Sequence, residues 1–83
     1  MAYRLNENGV PREMQIIVLL QQHIDQQQPG VFTLKELFAE YWPHFKRQRY
    51  YGRWFKRAVE LGYLEGIDIY RKRSDRSWEY VIL

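Results

Sequence analysis

Several features that would define a protein class are absent from this sequence. It contains no cysteine, which excludes a disulfide framework and a thiolate metal site. Its longest apolar run, residues 16–20, is far shorter than the ~20 residues that span a bilayer. Residues 1–9 lack the charged, apolar and small-residue order of a signal peptide. These absences predict a cytoplasmic protein without a membrane partner.

The chain is also short for an enzyme. With 83 residues, it buries only about 60–65% of the surface that its unfolded chain exposes. Aromatic residues make up 17% of the sequence, and we expect the core to take most of them, which leaves little room for a catalytic cleft. We therefore expect a flexible N-terminal arm over residues 1–9 and one domain over residues 10–83.

Charge is distributed unevenly along the chain. Residues 1–45 carry three basic and five acidic side chains, a net charge of −2, whereas residues 46–83 carry ten basic and five acidic ones, a net charge of +5. Two segments, 46–57 and 71–76, hold all ten of those basic residues. Such asymmetry indicates a partner with dense negative charge, nucleic acid before an anionic surface.

Apolar periodicity predicts a first helix over residues 10–28, with Pro11 at its first turn and Pro29-Gly30 after its end. Its core-facing residues are expected to be Val10, Met14, Ile17, Val18 and Ile24. Ile16 and Leu19 project away from that face. Either a third element covers them, or they form the seam of a homodimer.

A second helix is predicted after a short extended segment at Val31-Phe32. The order Thr33-Leu34-Lys35-Glu36 matches a capping box, in which the Thr hydroxyl and the Glu carboxylate each bind a backbone N–H at the helix start. The helix is expected to end at Trp42, since Pro43 disfavours helical geometry in the preceding residue. Its predicted apolar face is Leu34, Leu37, Phe38 and Tyr41.

A third helix is predicted from Phe45 or Lys46 to Leu61, where Gly62 is suited to the left-handed conformation just past a helix end. Its core side is expected to hold Tyr51, Phe55 and Ala58, with Val59 at the margin. Its opposite side is cationic and comprises Lys46, Arg49, Arg53, Lys56 and Arg57, with Tyr50 at the edge. Gly52, on the flank, costs about 1 kcal/mol relative to alanine, which suggests that some group approaches the backbone there.

After residue 64 the apolar period changes from helical to two. Ile67, Ile69 and Arg71 alternate with Asp68, Tyr70 and Lys72. Trp78, Tyr80 and Ile82 alternate with Glu79 and Val81, and residues 74–77 form a polar turn between the two runs. The pattern predicts a β-hairpin with a basic tip. The fold class is therefore α+β.

This order of elements resembles the winged helix-turn-helix family over residues 11–83. The resemblance is carried by FKRAVELGYLEG followed by IYRKRSDRSWEYVIL, an amphipathic helix and then a charged hairpin that ends on an apolar strand. It implies that the third helix enters the DNA major groove while the hairpin, or wing, contacts the flanking backbone. The residues expected to contact DNA are Lys46, Arg49, Tyr50, Arg53, Lys56, Arg57, Arg71, Lys72, Arg73 and Arg76.

Physical chemistry favours the same partner, because cations that neutralise phosphates release condensed counterions. Arg49 and Arg53 are the best candidates to read guanine through paired hydrogen bonds. The competing interpretation is a merely solvated basic face, although its cations would then repel one another without gain. Tyr50 and Trp54 could stack unpaired bases, but packing of Trp54 in the core is the stronger interpretation.

Other chemistry has little support in the sequence. Glu36, Glu40 and His44 are spaced by four, yet Pro43 interrupts the helix and no further imidazole or thiolate ligand follows. Ser74 and Ser77 have no base beside them, and no glycine-rich phosphate loop exists. We expect no enzymatic activity, metal, cofactor or small-molecule ligand.

The sequence thus predicts a small regulator of transcription or replication that acts by occupying double-stranded DNA, as a homodimer through Ile16 and Leu19. When bound it would be associated with the nucleoid, and its size suits a mobile element such as a phage or plasmid. The alternatives are a protein–protein adaptor or inhibitor that uses the same fold, and a binder of single-stranded nucleic acid.

Overall fold

The computed structural model describes residues 4–45 and 47–83. Within these residues the chain forms an α+β domain with three α-helices and a three-stranded antiparallel sheet, so the predicted fold class is confirmed at this level. The elements are α1 (Met14–Asp25), β1 (Gly30–Thr33), α2 (Leu34–Phe38), a 3₁₀ helix (Ala39–His44), α3 (Gln48–Glu60), β2 (Ile67–Lys72) and β3 (Trp78–Ile82).

The sheet has the order β1-β3-β2, which places the last strand at its centre. Tyr80 of β3 lies opposite Phe32 on one side and Ile69 on the other. The predicted hairpin is confirmed, with one correction. A bulge between Ile69 and Arg71 places Arg71 opposite Glu79, which moves it away from the sheet face of Ile69.

The core joins α3 to the centre of the sheet. Phe55 and Tyr80 are each 1% exposed, and their rings meet edge to face with centroids 5.1 Å apart. Phe38 of α2 packs edge-on against Phe55 at 5.9 Å. Burial raises the pKa of the Tyr80 phenol. The expected core positions Phe55, Ala58 and Val59 are confirmed, and Tyr51 is half-buried.

The first helix begins at Met14, so the prediction that Pro11 opens it is wrong. Val10 and Pro11 are buried, but they belong to a turn in which Asn6 N donates to Val10 O and Arg12 N donates to Arg4 O. These hydrogen bonds hold the backbone outside a helix. The helix also ends at Asp25, three residues before the expected end.

The predicted inner face of α1 is correct only in part. Ile17 and Ile24 are buried, whereas Met14 is 65% exposed and Val18 is also exposed. Ile16 and Leu20 pack against the core instead, so the inner face of α1 is rotated about the helix axis relative to the predicted one, and the expectation that Ile16 projects away from the core is wrong.

Residues 4–9 pack beside the end of α3. Asn6 Nδ2 and Asn8 Nδ2 each donate to the Tyr63 hydroxyl, at 3.2 and 3.1 Å, and Arg57 Nε donates to Asn8 O. The flexibility of this arm stays a prediction.

The capping box at the start of α2 is confirmed. Thr33 N donates to Glu36 Oε1 at 2.9 Å, and Glu36 N donates to Thr33 Oγ1 at 3.2 Å. These hydrogen bonds to Thr33 lower the pKa of Glu36. Leu37 and Phe38 are buried as expected.

The predicted end of the second helix at Trp42 is wrong. The α-helix ends at Phe38, because Ala39 has a positive φ of 45°, and Pro43 lies inside the 3₁₀ helix that follows. The tighter turn leaves Tyr41 exposed, so it is not part of the core.

The third helix starts later than predicted, at Gln48. Phe45 is extended, and its ring stacks on Tyr51 with centroids 4.9 Å apart, so it packs against the helix without belonging to it. Lys46, the other predicted start, lies outside the described residues. The predicted end is confirmed, since Leu61 follows the helix and Gly62 has a φ of 78°.

None of the helices in the described part of the chain has the length and apolar character needed to cross a bilayer.

Candidate nucleic-acid interface

The outer face of α3 carries the predicted cations. Arg49, Arg53 and Arg57 are exposed, Lys56 is half-buried, and the helical repeat brings Arg49, Arg53 and Lys56 to one side of the helix. Lys46 was also expected on this face and is outside the described residues.

Not all of these charges are available to a partner. Lys56 Nζ lies 2.9 Å from Glu60 Oε1, one turn along the helix. Arg57 Nε is directed to Asn8 O at 3.2 Å. Across residues 4–45 and 47–83 the only other ion pair joins Arg71 to Glu79. Arg49 and Arg53 are therefore the cations of α3 best placed to bind an external anion.

The hairpin supplies a second pair of such cations. Arg73 and Arg76 are exposed at the turn, which is closed by hydrogen bonds from Arg73 N to Ser77 O and from Arg76 N to Arg73 O. Asp75 accepts from the backbone and side chain of Ser77, and these bonds lower the pKa of its carboxyl group. The polar turn is thus held by its own hydrogen bonds.

Arg71 differs from its neighbours on the hairpin. Its Nε lies 2.5 Å from Glu79 Oε1, because the bulge in β2 sets the two residues opposite each other. We therefore expect Arg71 to contribute less to anion binding than Arg73 or Arg76.

Trp78 connects the hairpin to α3. Lys56 Nζ lies 4.5 Å from the centroid of the Trp78 ring, and Lys72 Nζ lies 5.6 Å from it. Both distances fall within the range of cation–π attraction. One aromatic ring thus binds a lysine from the helix and a lysine from the hairpin, which positions the two basic segments side by side.

A groove of about 700 Å³ runs between α3, the hairpin and the start of α2. We call it the interface groove. Its lining includes the basic residues Lys35, Arg49, Arg73 and Arg76, the acidic residues Glu36 and Asp75, and Gln48, Gly52, Trp42 and Trp78. It brings together predicted contact residues from the helix and from the hairpin that lie far apart in sequence.

The structure adds residues that sequence reasoning missed. Lys35 reaches the interface groove from the capping box, a position that only the packing of α2 against the hairpin reveals. Arg47 lies over the Tyr50 ring at 5.7 Å and lines a shallow concavity of about 490 Å³ with Arg49 and Arg53. The sequence signal that could have identified Arg47 is its position within the basic segment 46–57.

The two aromatic residues considered for base stacking differ in accessibility. Trp54 is 3% exposed and packs between Tyr51 and Phe55, which confirms the packing interpretation. Tyr50 is half-buried and contacts Tyr51 edge to face at 6.0 Å.

A separate, apolar concavity of about 210 Å³ lies between α1, the 3₁₀ helix and α3. Leu19, 61% exposed, and the half-buried Ile16 belong to its lining, together with His23. The His23 ring stacks on Phe38 at 5.0 Å, and its Nε2 is 2.8 Å from Leu37 O. Of the two residues predicted for a dimer seam, Leu19 is therefore the accessible one.

In the described residues, no group of three or more His, Cys, Asp or Glu side chains is arranged to hold a metal ion.

The fold and this surface define a small α+β domain with a basic helix-and-hairpin face. Residues 19–81 match the model of the family described as Domain of unknown function (DUF1413), and the chain belongs to that family. The matched segment starts within α1 and ends within β3, so it includes the whole interface groove. No curated protein and no solved structure matches the chain.

Proposed function

We propose that this protein is a winged helix-turn-helix DNA-binding protein that regulates transcription or replication by occupying duplex DNA. The observation that carries the proposal is the interface groove, where Arg49 of α3 and Arg73 and Arg76 of the hairpin line one concave surface. Three cations from two elements are suited to a polyanion that extends across both.

The topology supports this proposal. A helix, a short strand, two further α-helices with a 3₁₀ helix between them and a hairpin follow one another, and the first strand pairs with the last. This is the order of elements in the winged-helix family, in which α3 would enter the major groove and the hairpin would contact the flanking backbone. The Trp78 contacts with Lys56 and Lys72 keep these elements adjacent.

The chemistry of the exposed arginines supports it as well. An arginine in the major groove can donate two hydrogen bonds to guanine O6 and N7. Arg49 and Arg53 are exposed, one turn apart, and form no ion pair among the described residues, so their guanidinium groups can reach base edges. Arg73 and Arg76 are suited to phosphates.

The direct test is a titration over a series of salt concentrations. Fluorescence anisotropy would compare a labelled mixed-sequence duplex, a single strand of the same length and a polyglutamate peptide. We expect the duplex to bind most tightly and its affinity to fall steeply with salt, because counterions are released. Tighter binding of the single strand would favour a single-strand binder. Tighter binding of polyglutamate would favour an adaptor for an acidic protein.

The hairpin yields a more specific prediction. Arg73→Ala combined with Arg76→Ala should weaken binding to every duplex about equally and flatten the plot of log K against log salt by about 2 units of slope. Arg71→Ala is the matched control. It should change the slope by less than about 1 unit, because Glu79 already compensates Arg71. A loss confined to one base position would show instead that the hairpin reads sequence.

We also propose that the protein binds DNA as a homodimer through Leu19. The exposed surface of α1 near Leu19 carries glutamines such as Gln15 and Gln22, which suits a second copy better than a polyanion. Two copies would read half-sites about one helical turn apart.

Sedimentation at tens of micromolar, with and without a duplex, tests the dimer. Leu19→Glu should shift the protein to the monomer mass, because it places a charge in the seam. Val18→Glu, an exposed neighbour on the same helix, should leave the mass unchanged. A monomeric wild type that binds one protein per duplex would exclude the dimer.

A further inference from the structure

Gly52 occupies the interior of α3, where glycine destabilises a helix relative to alanine. The backbone does not require it there. Gly9, Gly62 and Gly66 have φ values between 76° and 78°, which disfavour other residues, but Gly52 is not among the positive-φ positions.

Packing does not require Gly52 either. A Cβ atom added at this position would have Leu34 Cδ1 as its nearest neighbour, at 3.8 Å, which is ordinary van der Waals contact. Alanine would therefore fit the described structure and add a contact with α2. Neither the backbone nor the packing of the protein accounts for a glycine here.

The position of Gly52 points to a partner outside the chain. Gly52 lines the interface groove one turn after Arg49 and one turn before Lys56. Arg73 and Arg76 line the same groove from the hairpin. The helix backbone thus lacks a side chain within a groove that is lined by cations from two elements and also by the carboxylates of Glu36 and Asp75.

We infer that the interface groove admits one sugar–phosphate strand of the nucleic acid, and that Gly52 is its point of closest approach to the α3 backbone. This inference rests on the proposed function and adds a contact that involves no charge. Arg49, Arg73 and Arg76 attract the strand, and the missing side chain at Gly52 lets it lie against the helix.

The test is a graded series at this position, Gly52→Ala and Gly52→Leu, measured with the labelled mixed-sequence duplex. Gly52→Ala should raise the thermal midpoint, by about 4–8 °C if the full helix-propensity gain is realised. It should nevertheless lower duplex affinity by about 5–150-fold, the range for an added methyl group that crowds a closely packed contact. Gly52→Leu should lower the affinity further, because its side chain fills more of the groove.

Gly62→Ala is the matched control. It makes the same substitution just past the end of the same helix, outside the interface groove, at a φ of 78°. It should lower the thermal midpoint, because alanine is strained there, and leave the duplex affinity of the folded protein unchanged.

The outcomes separate this inference from the proposed function. Wild-type affinity in Gly52→Ala, or a lowered thermal midpoint, would overturn the inference alone. An equal affinity loss in Gly62→Ala would also overturn it, because the effect would then be global. A wild-type protein that binds no duplex would overturn the proposed function and this inference together.

Discussion

Replacing Arg49 and Arg53 together by alanine is expected to lower duplex affinity by about 30-fold or more. Each arginine that reads a base contributes about 1–3 kcal/mol of binding free energy, and about 1.4 kcal/mol corresponds to a tenfold change in affinity. Both side chains are exposed and form no ion pair among the described residues, so their removal leaves no buried group without a partner. Folding should therefore be preserved, as circular dichroism would verify.

The control variant for this prediction must remove the same two positive charges from a different part of the protein. Arg4→Ala combined with Arg12→Ala removes two exposed arginines from the N-terminal segment, where their described hydrogen bond joins only backbone atoms. We expect this double variant to bind duplex DNA with nearly wild-type affinity. If the two double variants lose affinity equally, net charge alone determines binding and α3 is not the recognition helix.

The parts of the fold that were predicted correctly depend on local signals. The capping box needs only residues 33–36, and Thr33 and Glu36 form it as expected. The end of α3 depends on Gly62, whose positive φ is a property of one residue. The period-two alternation of the hairpin is similarly local, because adjacent strands share one short turn.

The errors arise at backbone turns that no local sequence motif indicates. Pro11 was expected to open α1, but the pairing of Arg4 with Arg12 holds it in a turn. Nothing near Ala39 in the sequence indicates its positive φ, which ends α2 four residues before Trp42. At Pro11, the backbone pairing overrides a local preference for helix.

The candidate site shows the same division. Helical periodicity was sufficient to place Arg49 and Arg53 on one exposed face of α3. The Lys56–Glu60 ion pair is an i,i+4 pair that the sequence already contains. The Arg71–Glu79 ion pair depends on the bulge in β2, and the place of Lys35 in the interface groove depends on how α2 packs against the hairpin. Neither feature could be predicted without coordinates.

Phe55→Ala is expected to cost about 3–5 kcal/mol of the free energy of unfolding, the usual range for truncating a buried phenylalanine. A domain of this size has a total stability of about 4–12 kcal/mol, so one substitution would remove much of it. Phe55 is the ring through which α3 contacts both Phe38 of α2 and Tyr80 of the central strand. Urea unfolding followed by circular dichroism measures the loss.

The same variant connects stability to the proposed interface. Phe55 packs α3 against Tyr80 of β3, and β3 pairs with β2 to form the hairpin. Phe55→Leu keeps most of the apolar volume and should be clearly less destabilising than Phe55→Ala. Tyr70→Ala removes an exposed ring from β2 and should change stability by about 0.5 kcal/mol or less. If Phe55→Ala were no more destabilising than Tyr70→Ala, α3 would not be anchored on Tyr80, and the interface groove would not be a fixed surface.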